Sequence, residues 1–510
     1  MTSEPLTIIV TSDIHAQIAP GPGRPGLARL AAYVREKRRQ GEVLLADCGD
    51  LFSGSVYGGF DQGRTLADLL NRLGWGVLVP GNHDFDYSPE TGDPFYYFRT
   101  LLPRLQPRPQ VLGLNLACPR ELDIIRGPFI VRPDPPRTVL IGVVCPLTSR
   151  PSLGGILKDF DFGLRPTLAQ TAREIKDSLR RCLKTLQPSD RVIVLAHLGT
   201  KPASPGLAAQ LNLDFSEALT GPDLAELPVS LVCDGHSHQV AEPASPFGGA
   251  LYTNLGCGLA AAAEITLAPD SWDVRLIRAD ELAALDPDPI LDAEIAALEE
   301  RLGLREVLLT LPPGAECSLE GLWETITPLG QLAAEAMAER AGTQTAFLNK
   351  GALRAGLAGR VTAGSLHEVL PFNDRLLSVS FSGETIFNML ARCGQKGFRG
   401  FPLYHGLTLF ASPGEGNEHT RQTVDLAGIR INGRKLEMGK YYSAALSGQM
   451  ARLLAKSGLP LEKIESCGGL LEALLDLVRR RAASPLLTPP VNPYCFFENR
   501  PAALEAFEKS

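Results

Sequence analysis

Short apolar runs alternate with amphipathic stretches over the first half of the chain. Six runs have the length of a strand, and helical patterns fill several of the gaps between them. The predicted strands cover residues 7–11, 43–46, 77–79, 139–144, 192–195 and 230–233, and the predicted helices cover 26–39, 65–73 and 167–186. This alternation predicts a layered α/β domain, in which ligands bind at the loops that follow the strands.

A second pattern follows a charged segment near the middle of the chain. Asp286-Pro-Asp-Pro289 precedes a predicted charged helix at residues 290–302. Beyond it, the apolar periodicity predicts strands at 345–348 and 377–381 and helices at 328–340 and 384–392. We therefore expect a first domain at 1–285, a linker helix that acts as a hinge at 286–310, and a C-terminal domain at 311–510. The length of 510 residues also favours two domains over a single core.

Composition and charge narrow the class of protein. Hydrophobic residues make up 44% of the chain, charged residues 21%, and the net charge is −7, as in a soluble globular protein. This acidic balance gives no basic surface for nucleic acid or an anionic membrane. No segment supplies the ~20 apolar residues that a membrane helix needs, and no signal peptide is visible, so we expect a cytoplasmic protein. No feature specifies an oligomeric state.

The ten cysteines are scattered, and none forms a Cys-x-x-Cys pair. This usage fits a reducing compartment and argues against a disulfide framework or a structural zinc site. Cys48 and Cys233 fall at strand positions that should face the core. We therefore expect no thiolate to compete for a metal ion at the strand ends.

Five of the eight histidines follow predicted strands and stand beside Asp, Asn or Gly. The clusters are Thr11-Ser-Asp13-Ile-His15, Asp47-Cys-Gly49-Asp50, Gly81-Asn82-His83-Asp84-Phe85-Asp86, Ala196-His197 and Asp234-Gly235-His236-Ser237-His238. One such histidine is more often structural than a ligand, but five together are hard to explain as packing. Imidazole, carboxylate and amide oxygen suit divalent manganese, zinc, iron or cobalt. The glycines at 49, 81 and 235 would let the backbone approach the ions closely.

In this order, the motifs D-x-H, G-D, G-N-H-D-x-D, a lone His and G-H-x-H resemble those of the calcineurin-like metallophosphoesterases. Their surroundings, Gly26-Leu-Ala-Arg-Leu30 and Gly49-Asp-Leu-Phe-Ser-Gly54 among them, look like the 5′-nucleotidase/UDP-sugar hydrolase/2′,3′-cyclic phosphodiesterase family. The resemblance covers nearly the whole chain. It implies a two-domain α/β (α+β) protein, with an N-terminal four-layer αββα metallophosphoesterase sandwich and a C-terminal 5′-nucleotidase-type α/β domain.

The resemblance also implies a role for each motif. The first of two divalent ions would be held by Asp13, His15 and His238, the second by Asn82, His197 and His236, and both by Asp50 as a bridge. His83, oriented by Asp86, would stabilise charge on the transferring phosphoryl group or on the leaving oxygen. Asp84 is not expected to be a ligand, and Asp47 and Asp234 are expected to support the loops. Manganese, zinc, cobalt and iron all suit this ligand set.

The C-terminal half resembles the same family through Asn349-Lys-Gly-Ala-Leu-Arg354 and Leu370-Pro-Phe-Asn-Asp-Arg375. The resemblance implies that Asn349 and Arg354 bind phosphate or ribose and that Phe372 stacks on a base. Each has a structural alternative: Phe372 in the core, Asn349 as a turn cap, and Arg354 in a surface ion pair.

Two features of the family's nucleotide pocket are missing. Residues 441–448 lack the second stacking aromatic and its Gly-Gly-Asp-Gly turn, and residues 322–327 contain no Arg. The aromatic residues Tyr494, Phe496 and Phe497 belong to a Pro-rich tail that we expect to be extended on the surface, and they are candidate replacements.

The leading prediction is a metal-dependent hydrolase of small phosphoesters, with a nucleotide as first candidate substrate. The missing stacking pair favours an alternative on the same scaffold, with a cyclic nucleotide, a nucleotide sugar or a non-nucleotide phosphoester as substrate. A catalytically silent binding protein is a third hypothesis, which the complete ligand set disfavours.

Overall fold

The computed structural model describes most of the chain in two compact units, Met1–Leu298 and Glu299–Ser510. The described residues are 5–87, 93, 95–116, 120–144, 168–199, 229–245, 250–268, 271–314, 316–322, 327–372, 374–394, 401–409, 411–413, 422–424, 428–456, 458–459 and 461–481. The division between the units falls inside the helix Pro289–Arg301, within the segment predicted as a linker. The boundaries at 285 and 310 stay predictions.

Thirteen strands of the N-terminal unit lie in two sheets. Their bounds are β1 Leu6–Thr11, β2 Glu42–Asp47, β3 Val77–Leu78, β4 Gln110–Leu112, β5 Ile124–Ile125, β6 Phe129–Arg132, β7 Thr138–Val144, β8 Arg191–His197, β9 Val229–Asp234, β10 Val240–Ala244, β11 Leu251–Leu255, β12 Ala261–Leu267 and β13 Trp272–Arg278. The first sheet has the order β13-β12-β1-β2-β3-β4-β5 and the second β10-β11-β9-β8-β7-β6. β1, β2 and β3 run parallel, as do β7, β8 and β9.

Helices cover the outer faces of these two sheets. Their bounds are Leu27–Gln40, Val56–Gly59, Arg64–Leu70, Leu168–Leu183, Ala279–Ala283 and Pro289–Arg301. Tyr33 of the first helix donates a hydrogen bond of 2.5 Å to Glu264 of β12, and Ile175 and Leu179 pack in one core with the second sheet. The two sheets pack closely against each other, since a Cβ added at Gly142 of β7 would lie 2.4 Å from Leu112 of β4. The predicted four-layer αββα order is therefore confirmed.

The central strands are apolar because both of their faces are covered. Ile8, Ile9 and Val10 of β1 are fully buried, and every residue of β7 is buried. Such continuous apolar runs are typical of parallel strands inside an α/β sandwich. All six predicted strands of this unit are confirmed to within two residues. The polar loops described below follow the carboxyl ends of these strands.

The C-terminal unit has its own core and contains one five-stranded sheet together with smaller sheets. Its strands are β14 Val307–Thr310, β15 Thr345–Leu348, β16 Arg360–Thr362, β17 Arg375–Ser382, β18 Leu403–His405, β19 Leu407–Thr408, β20 Ala411–Pro413, β21 Gln422–Val424, β22 Arg430–Ile431, β23 Arg434–Lys435, β24 Tyr441–Ser447 and β25 Glu462–Gly469, and its helices are Pro328–Ala341, Ala363–Val369, Gly383–Gly394, Gly448–Lys456 and Leu470–Arg481. The sheet order is β18-β15-β24-β17-β25.

The helix Pro328–Ala341 begins and ends at residues that are typical of helix ends, which is why the sequence predicted it. Thr327 caps it by accepting a hydrogen bond of 3.1 Å from the Gly330 N–H, and Pro328 occupies the first turn, where its missing N–H costs nothing. Gly342 ends the helix at a φ of 62°. The predicted α/β character of the C-terminal half is confirmed.

None of the helices in the described ranges combines the length and the apolar character that crossing a bilayer requires. The tail residues Tyr494, Phe496 and Phe497 lie outside the described residues, as does Trp323 of the segment that lacks the expected Arg.

Candidate metal centre

The loops after five strands bring seven potential metal-binding side chains together. They are Asp13 and His15 after β1, Asp50 after β2, Asn82 after β3, His197 at the end of β8, and His236 and His238 after β9. The parallel strands of both sheets contribute, so the cluster forms where two sets of carboxyl ends meet. Every residue predicted as a metal ligand belongs to this cluster.

One half of the cluster is formed by Asp13, His15 and His238. The Nε2 atoms of the two imidazoles are 3.0 Å apart, and Oδ1 of Asp13 lies 3.2 Å from Nε2 of His238 and 3.7 Å from Nε2 of His15. Two ligands bound at about 2.1 Å to a shared ion stand about 3.0 to 3.4 Å apart, depending on the coordination angle. Two of the three spacings lie in this range and the third, at 3.7 Å, is slightly wider, so the three donors suit a single cation.

The other half contains Asn82, His197 and His236. Oδ1 of Asn82 is 3.3 Å from Nε2 of His197, and donor atoms of Asp50, His197 and His236 lie within 4.8 Å of one another. Amide oxygen, imidazole and carboxylate form a donor set that divalent transition metals accept.

Asp50 connects the two halves. Its Oδ2 atom lies 3.6 Å from Nε2 of His15 and 3.2 Å from Nε2 of His197. The same oxygen is buried and accepts no hydrogen bond, although Oδ1 accepts one of 2.6 Å from the His83 N–H. A buried carboxylate oxygen without a partner is costly unless a cation neutralises it. This orphaned oxygen is the strongest sign that the cluster fits divalent metal.

The two most deeply placed imidazoles are oriented by backbone carbonyls. Nδ1–H of His15 donates to the Ser53 carbonyl, and Nδ1–H of His197 donates to the Cys48 carbonyl, each at 2.8 Å. The Nε2 lone pair of each ring then points into the cluster, as in most histidine metal sites. Burial lowers the pKa of His15 to about 4, which keeps that lone pair available.

The carboxylates of the cluster stabilise positive charge in its centre. Burial lowers the pKa of His197, but the Asp50 and Asp13 carboxylates outweigh burial and raise it to about 10. Burial lowers the pKa of His236 to about 4. Burial lowers the pKa of His238 too, but the Asp13 carboxylate outweighs burial and raises it to about 10. The carboxylates thus recruit protons to two imidazoles, and bound cations would take the place of those protons.

The backbone is strained at the same positions. Asp13, His15, Asp50, His236 and His238 all have φ between 50° and 68°, a region that residues other than glycine rarely adopt. Strain of this kind persists where the surrounding structure imposes a functional geometry. At Gly81 an added Cβ would lie 2.2 Å from Oδ1 of Asp50, so the expected close approach of the backbone occurs here.

Asp84 holds two of the site's loops together. Its carboxylate accepts hydrogen bonds from four backbone N–H groups: Asp50 at 2.9 Å, Leu51 at 3.0 Å, Phe52 at 3.2 Å and Gly81 at 2.8 Å. Asp234 acts likewise, accepting from the N–H groups of Leu198 and Gly199 and from the Tyr252 hydroxyl. These carboxylates support the loops and do not face the cluster.

We expect Asp84→Ala to lower the free energy of unfolding by at least about 3 kcal/mol, because it leaves four buried N–H groups without an acceptor. Asp84→Asn keeps one acceptor oxygen and should lose less. The urea midpoint of the metal-free protein measures both changes. Equal midpoints for the parent and Asp84→Ala would refute this role.

His83 and Asp86 stand beside the cluster and face each other. Nδ1 of His83 lies 2.8 Å from Oδ2 of Asp86, which also accepts a hydrogen bond of 2.9 Å from Ser53. The His83 ring packs edge-on to the His15 ring, with centroids 5.1 Å apart. The carboxylate therefore fixes the tautomer of His83 and leaves Nε2 as the ring nitrogen that can act on a ligand.

One residue of the cluster was missed in the sequence. Sγ of Cys257 and ring nitrogens of His15 and His238 lie within 4.8 Å of one another. The expectation that no thiolate competes for metal is therefore wrong, although Cys48 and Cys233 are buried as predicted. The sequence shows only a cysteine between two glycines after the short strand β11, which by itself does not indicate a ligand.

Two of the three candidate substrate residues, Arg354 and Phe372, contact each other in the C-terminal unit. The Arg354 guanidinium stands 5.1 Å from the centroid of the Phe372 ring, and Oδ1 of Asn349 accepts a hydrogen bond of 3.2 Å from Ser447. The Asn349 side chain does not cap the turn that follows it. Phe372 is half-buried and does not belong to the core, so two of the structural alternatives are not observed.

Two family models match the chain. Residues 6–240 match the calcineurin-like phosphoesterases, and residues 309–452 match the 5′-nucleotidase C-terminal domain. The trifunctional nucleotide phosphoesterase protein YfkN of Bacillus subtilis (strain 168) is 25% identical over 434 residues, which are 75% of this chain and 27% of YfkN. The snake venom 5′-nucleotidase of Gloydius brevicauda is 36% identical over 92 residues, 16% of each chain. The matched part is thus about a quarter or less of these relatives.

Solved structures with the same fold include more than one kind of enzyme. A 5′-nucleotidase precursor from Thermus thermophilus has a TM-score of 0.68 at 20% identity, covering 97% of this chain and 100% of that one. The sulfate thiohydrolase SoxB of the same species has a TM-score of 0.67 at 16% identity, covering 97% of each. At these identities the likeness establishes the fold.

Proposed function

The chain belongs to the calcineurin-like phosphoesterases that carry a 5′-nucleotidase C-terminal domain, and we propose that it hydrolyses phosphate monoesters of small molecules, nucleotides first, with two divalent ions. The observation that carries the proposal is Asp50, whose buried Oδ2 accepts no hydrogen bond and lies between the two groups of ligands. One carboxylate shared by two donor sets is the arrangement that a pair of ions needs.

Different residues of the chain would have different roles in this hydrolysis. When bound, the ions would neutralise the phosphoryl oxygens and lower the pKa of a water molecule. Asp13, His15 and His238 would hold one ion, Asn82, His197 and His236 would hold the other, and Asp50 would serve both. Asp86 accepts a hydrogen bond from Nδ1–H of His83 and orients its ring, and Nε2 of His83 stabilises charge on the transferring phosphoryl group or on the leaving oxygen.

Release of inorganic phosphate from a substrate panel tests the function. The full chain is stripped with a chelator, reloaded with manganese or zinc, and given 5′-nucleotides, 2′,3′-cyclic AMP, UDP-glucose, sugar phosphates and p-nitrophenyl phosphate. We expect metal-dependent release with 5′-nucleotides preferred. A chain that binds metal stoichiometrically but releases no phosphate from any ester would overturn the proposal and favour the silent binding protein.

Substrate binding is assigned to the C-terminal unit. The Arg354 side chain is exposed, and a guanidinium can hold two phosphate oxygens at once. We expect Arg354→Ala to raise KM for 5′-AMP about 10- to 100-fold, the loss of a charge-assisted hydrogen bond of about 1.5–3 kcal/mol. Turnover of p-nitrophenyl phosphate at saturation should be unchanged. Arg360→Ala removes an exposed arginine of the same unit and is the matched control; equal KM values for all three proteins would refute the assignment.

A second candidate function is hydrolysis of another ester on the same scaffold. The guanidinium of Arg354 already covers the Phe372 ring at 5.1 Å, so a base could stack on that face only by displacing it. This observation favours a phosphoester without a base, such as a sugar phosphate. Higher kcat/KM for sugar phosphates than for every nucleotide would select this alternative.

Two further expectations remain proposals. The helix Pro289–Arg301 would act as the hinge between the units, and X-ray scattering profiles that change when a substrate analogue binds would support it. A reducing, cytoplasmic location is supported by the free thiols of all seven cysteines in the described part of the chain.

A further inference from the structure

Cys257 lies in the loop after β11, at the same edge of the second sheet as the two histidines that follow β9. β11 pairs in parallel with β9, with Asn254 opposite Asp234, so the loops after both strands start side by side. The N–H of Gly258 donates a hydrogen bond of 2.8 Å to the backbone carbonyl of Asp13. This bond ties the turn that carries Cys257 to the loop that carries Asp13 and His15.

The turn around Cys257 is held firmly. Gly256 and Gly258 have φ of 76° and 62°. An added Cβ would lie 2.6 Å from Val240 at the first glycine and 2.4 Å from Oε1 of Gln17 at the second. Because both flanking positions are tightly packed, the position of the Cys257 backbone is well determined.

The thiol faces the first group of ligands. Sγ of Cys257 and ring nitrogens of His15 and His238 lie within 4.8 Å of one another. The cysteine is only partly buried, so a metal ion or a reagent can reach it. Asp13 completes the group, since its Oδ1 is 3.2 Å from Nε2 of His238.

An independent observation points to a cation at this position. Oδ2 of Asp50 is buried without a hydrogen-bond partner and lies 3.6 Å from Nε2 of His15. The need for positive charge next to His15 therefore exists whether or not the thiol takes part.

We propose that Cys257 is a thiolate ligand of the ion held by Asp13, His15 and His238, and that it makes this position select zinc over manganese. The inference rests on the proposed metal-dependent function. Zinc accepts a mixture of sulfur, nitrogen and oxygen donors, whereas manganese prefers oxygen. On binding, the thiol gives its proton to solvent and its sulfur donates an electron pair to the ion, so the site gains one negative charge.

Cobalt substitution tests the sulfur bond directly. The full metal-free chain is titrated with Co²⁺ and its near-ultraviolet absorption is recorded. A thiolate-to-cobalt charge-transfer band is expected in the parent and in Cys467→Ala, which removes a partly buried thiol of the other unit. The band should be absent from Cys257→Ser and Cys257→Ala. A band of parental strength in Cys257→Ser would overturn the proposal.

Competition between metals tests the selectivity. The parent and Cys257→Ser are dialysed against equal concentrations of Zn²⁺ and Mn²⁺, and bound metals are counted by elemental analysis. We expect the variant's zinc-to-manganese ratio to fall at least about tenfold, by analogy with the loss of a metal-orienting partner. An unchanged ratio would overturn the selectivity claim.

The parent chain gives a third readout that does not depend on the folding of a variant. Iodoacetamide should alkylate Cys257 in the metal-free protein and not after zinc is added, as measured by peptide mass spectrometry. Equal alkylation with and without zinc would contradict the proposal. If the parent binds no metal at all, the proposed function fails as well; if it binds two equivalents without a sulfur band, only this inference fails.

Discussion

Replacing Asp50 by asparagine is expected to remove metal retention and phosphate release together. The substitution keeps the size of the side chain and one oxygen, but it removes the negative charge shared by the two groups of ligands. Metal ions supply several kcal/mol of transition-state stabilisation, so kcat/KM should fall at least about a thousandfold. Phosphate release and elemental analysis of the dialysed protein measure the two effects.

Thermal unfolding with and without metal separates lost binding from lost folding. A ligand that binds only the folded state stabilises it in proportion to the logarithm of its concentration. Added zinc should therefore raise the Tm of the parent and leave that of Asp50→Asn nearly unchanged. Without metal, the variant should be less stable than the parent, because it removes the carboxylate that faces the His197 ring at 3.2 Å and raises its pKa.

An acidic residue away from the cluster is the control for this experiment. Asp68 is exposed and pairs with Arg104 at 2.7 Å, and surface pairs of this kind contribute little to stability. Asp68→Asn should keep the metal content, the zinc-dependent rise in Tm and the activity of the parent. Two equivalents of metal retained by Asp50→Asn at parental activity would disprove the bridging role.

The sequence predicted the central strands well because burial makes their pattern unambiguous. β1 and β7 are covered on both faces and read as unbroken apolar runs. The polar loops after them were recognisable for the complementary reason, since His, Asp and Asn at strand ends have no packing role to explain them. The seven candidate ligands could therefore be named from the motifs and the family resemblance that the motifs carry.

Cys257 could not be found in this way because its place depends on strand pairing. β11 is a short strand with the sequence LYTNL, and no polar motif follows it. Its end reaches the cluster because it pairs in parallel with β9, 20 residues earlier at their aligned positions, Leu251 and Leu231. Pairing of this kind is a tertiary property that local periodicity does not report.

The four hydrogen bonds of Asp84 could not be predicted from the sequence either, because they also depend on tertiary structure. The sequence shows only an acidic residue between His83 and Phe85. The acceptor role arises because the loop after β2 presents the N–H groups of Asp50, Leu51 and Phe52 to the loop after β3. Backbone donors carry no signature in side-chain patterns, so such support residues become visible only in the structure.

Replacing His83 by alanine is expected to lower kcat for 5′-nucleotides about 10²- to 10⁴-fold while metal content and Tm stay at the parental values. The ring lies next to the cluster, 5.1 Å from the His15 ring between centroids, and it is oriented by Asp86 at 2.8 Å. Asp86→Asn should lower kcat by less, because the ring remains. Adding Asp86→Asn to His83→Ala should cost little more, since the carboxylate acts through the imidazole. His405→Ala, in the C-terminal unit, is the control.

The leaving group decides which oxygen His83 serves. p-Nitrophenolate leaves without protonation, whereas the 5′-oxygen of a nucleoside is a poor leaving group and needs a proton or a hydrogen bond. If Nε2–H acts on the leaving oxygen, His83→Ala should lose at least about tenfold more kcat with 5′-AMP than with p-nitrophenyl phosphate. If it acts on the phosphoryl oxygens instead, both substrates should lose the same factor. We expect the unequal loss, because the 5′-alkoxide depends on a proton or hydrogen bond that p-nitrophenolate does not need.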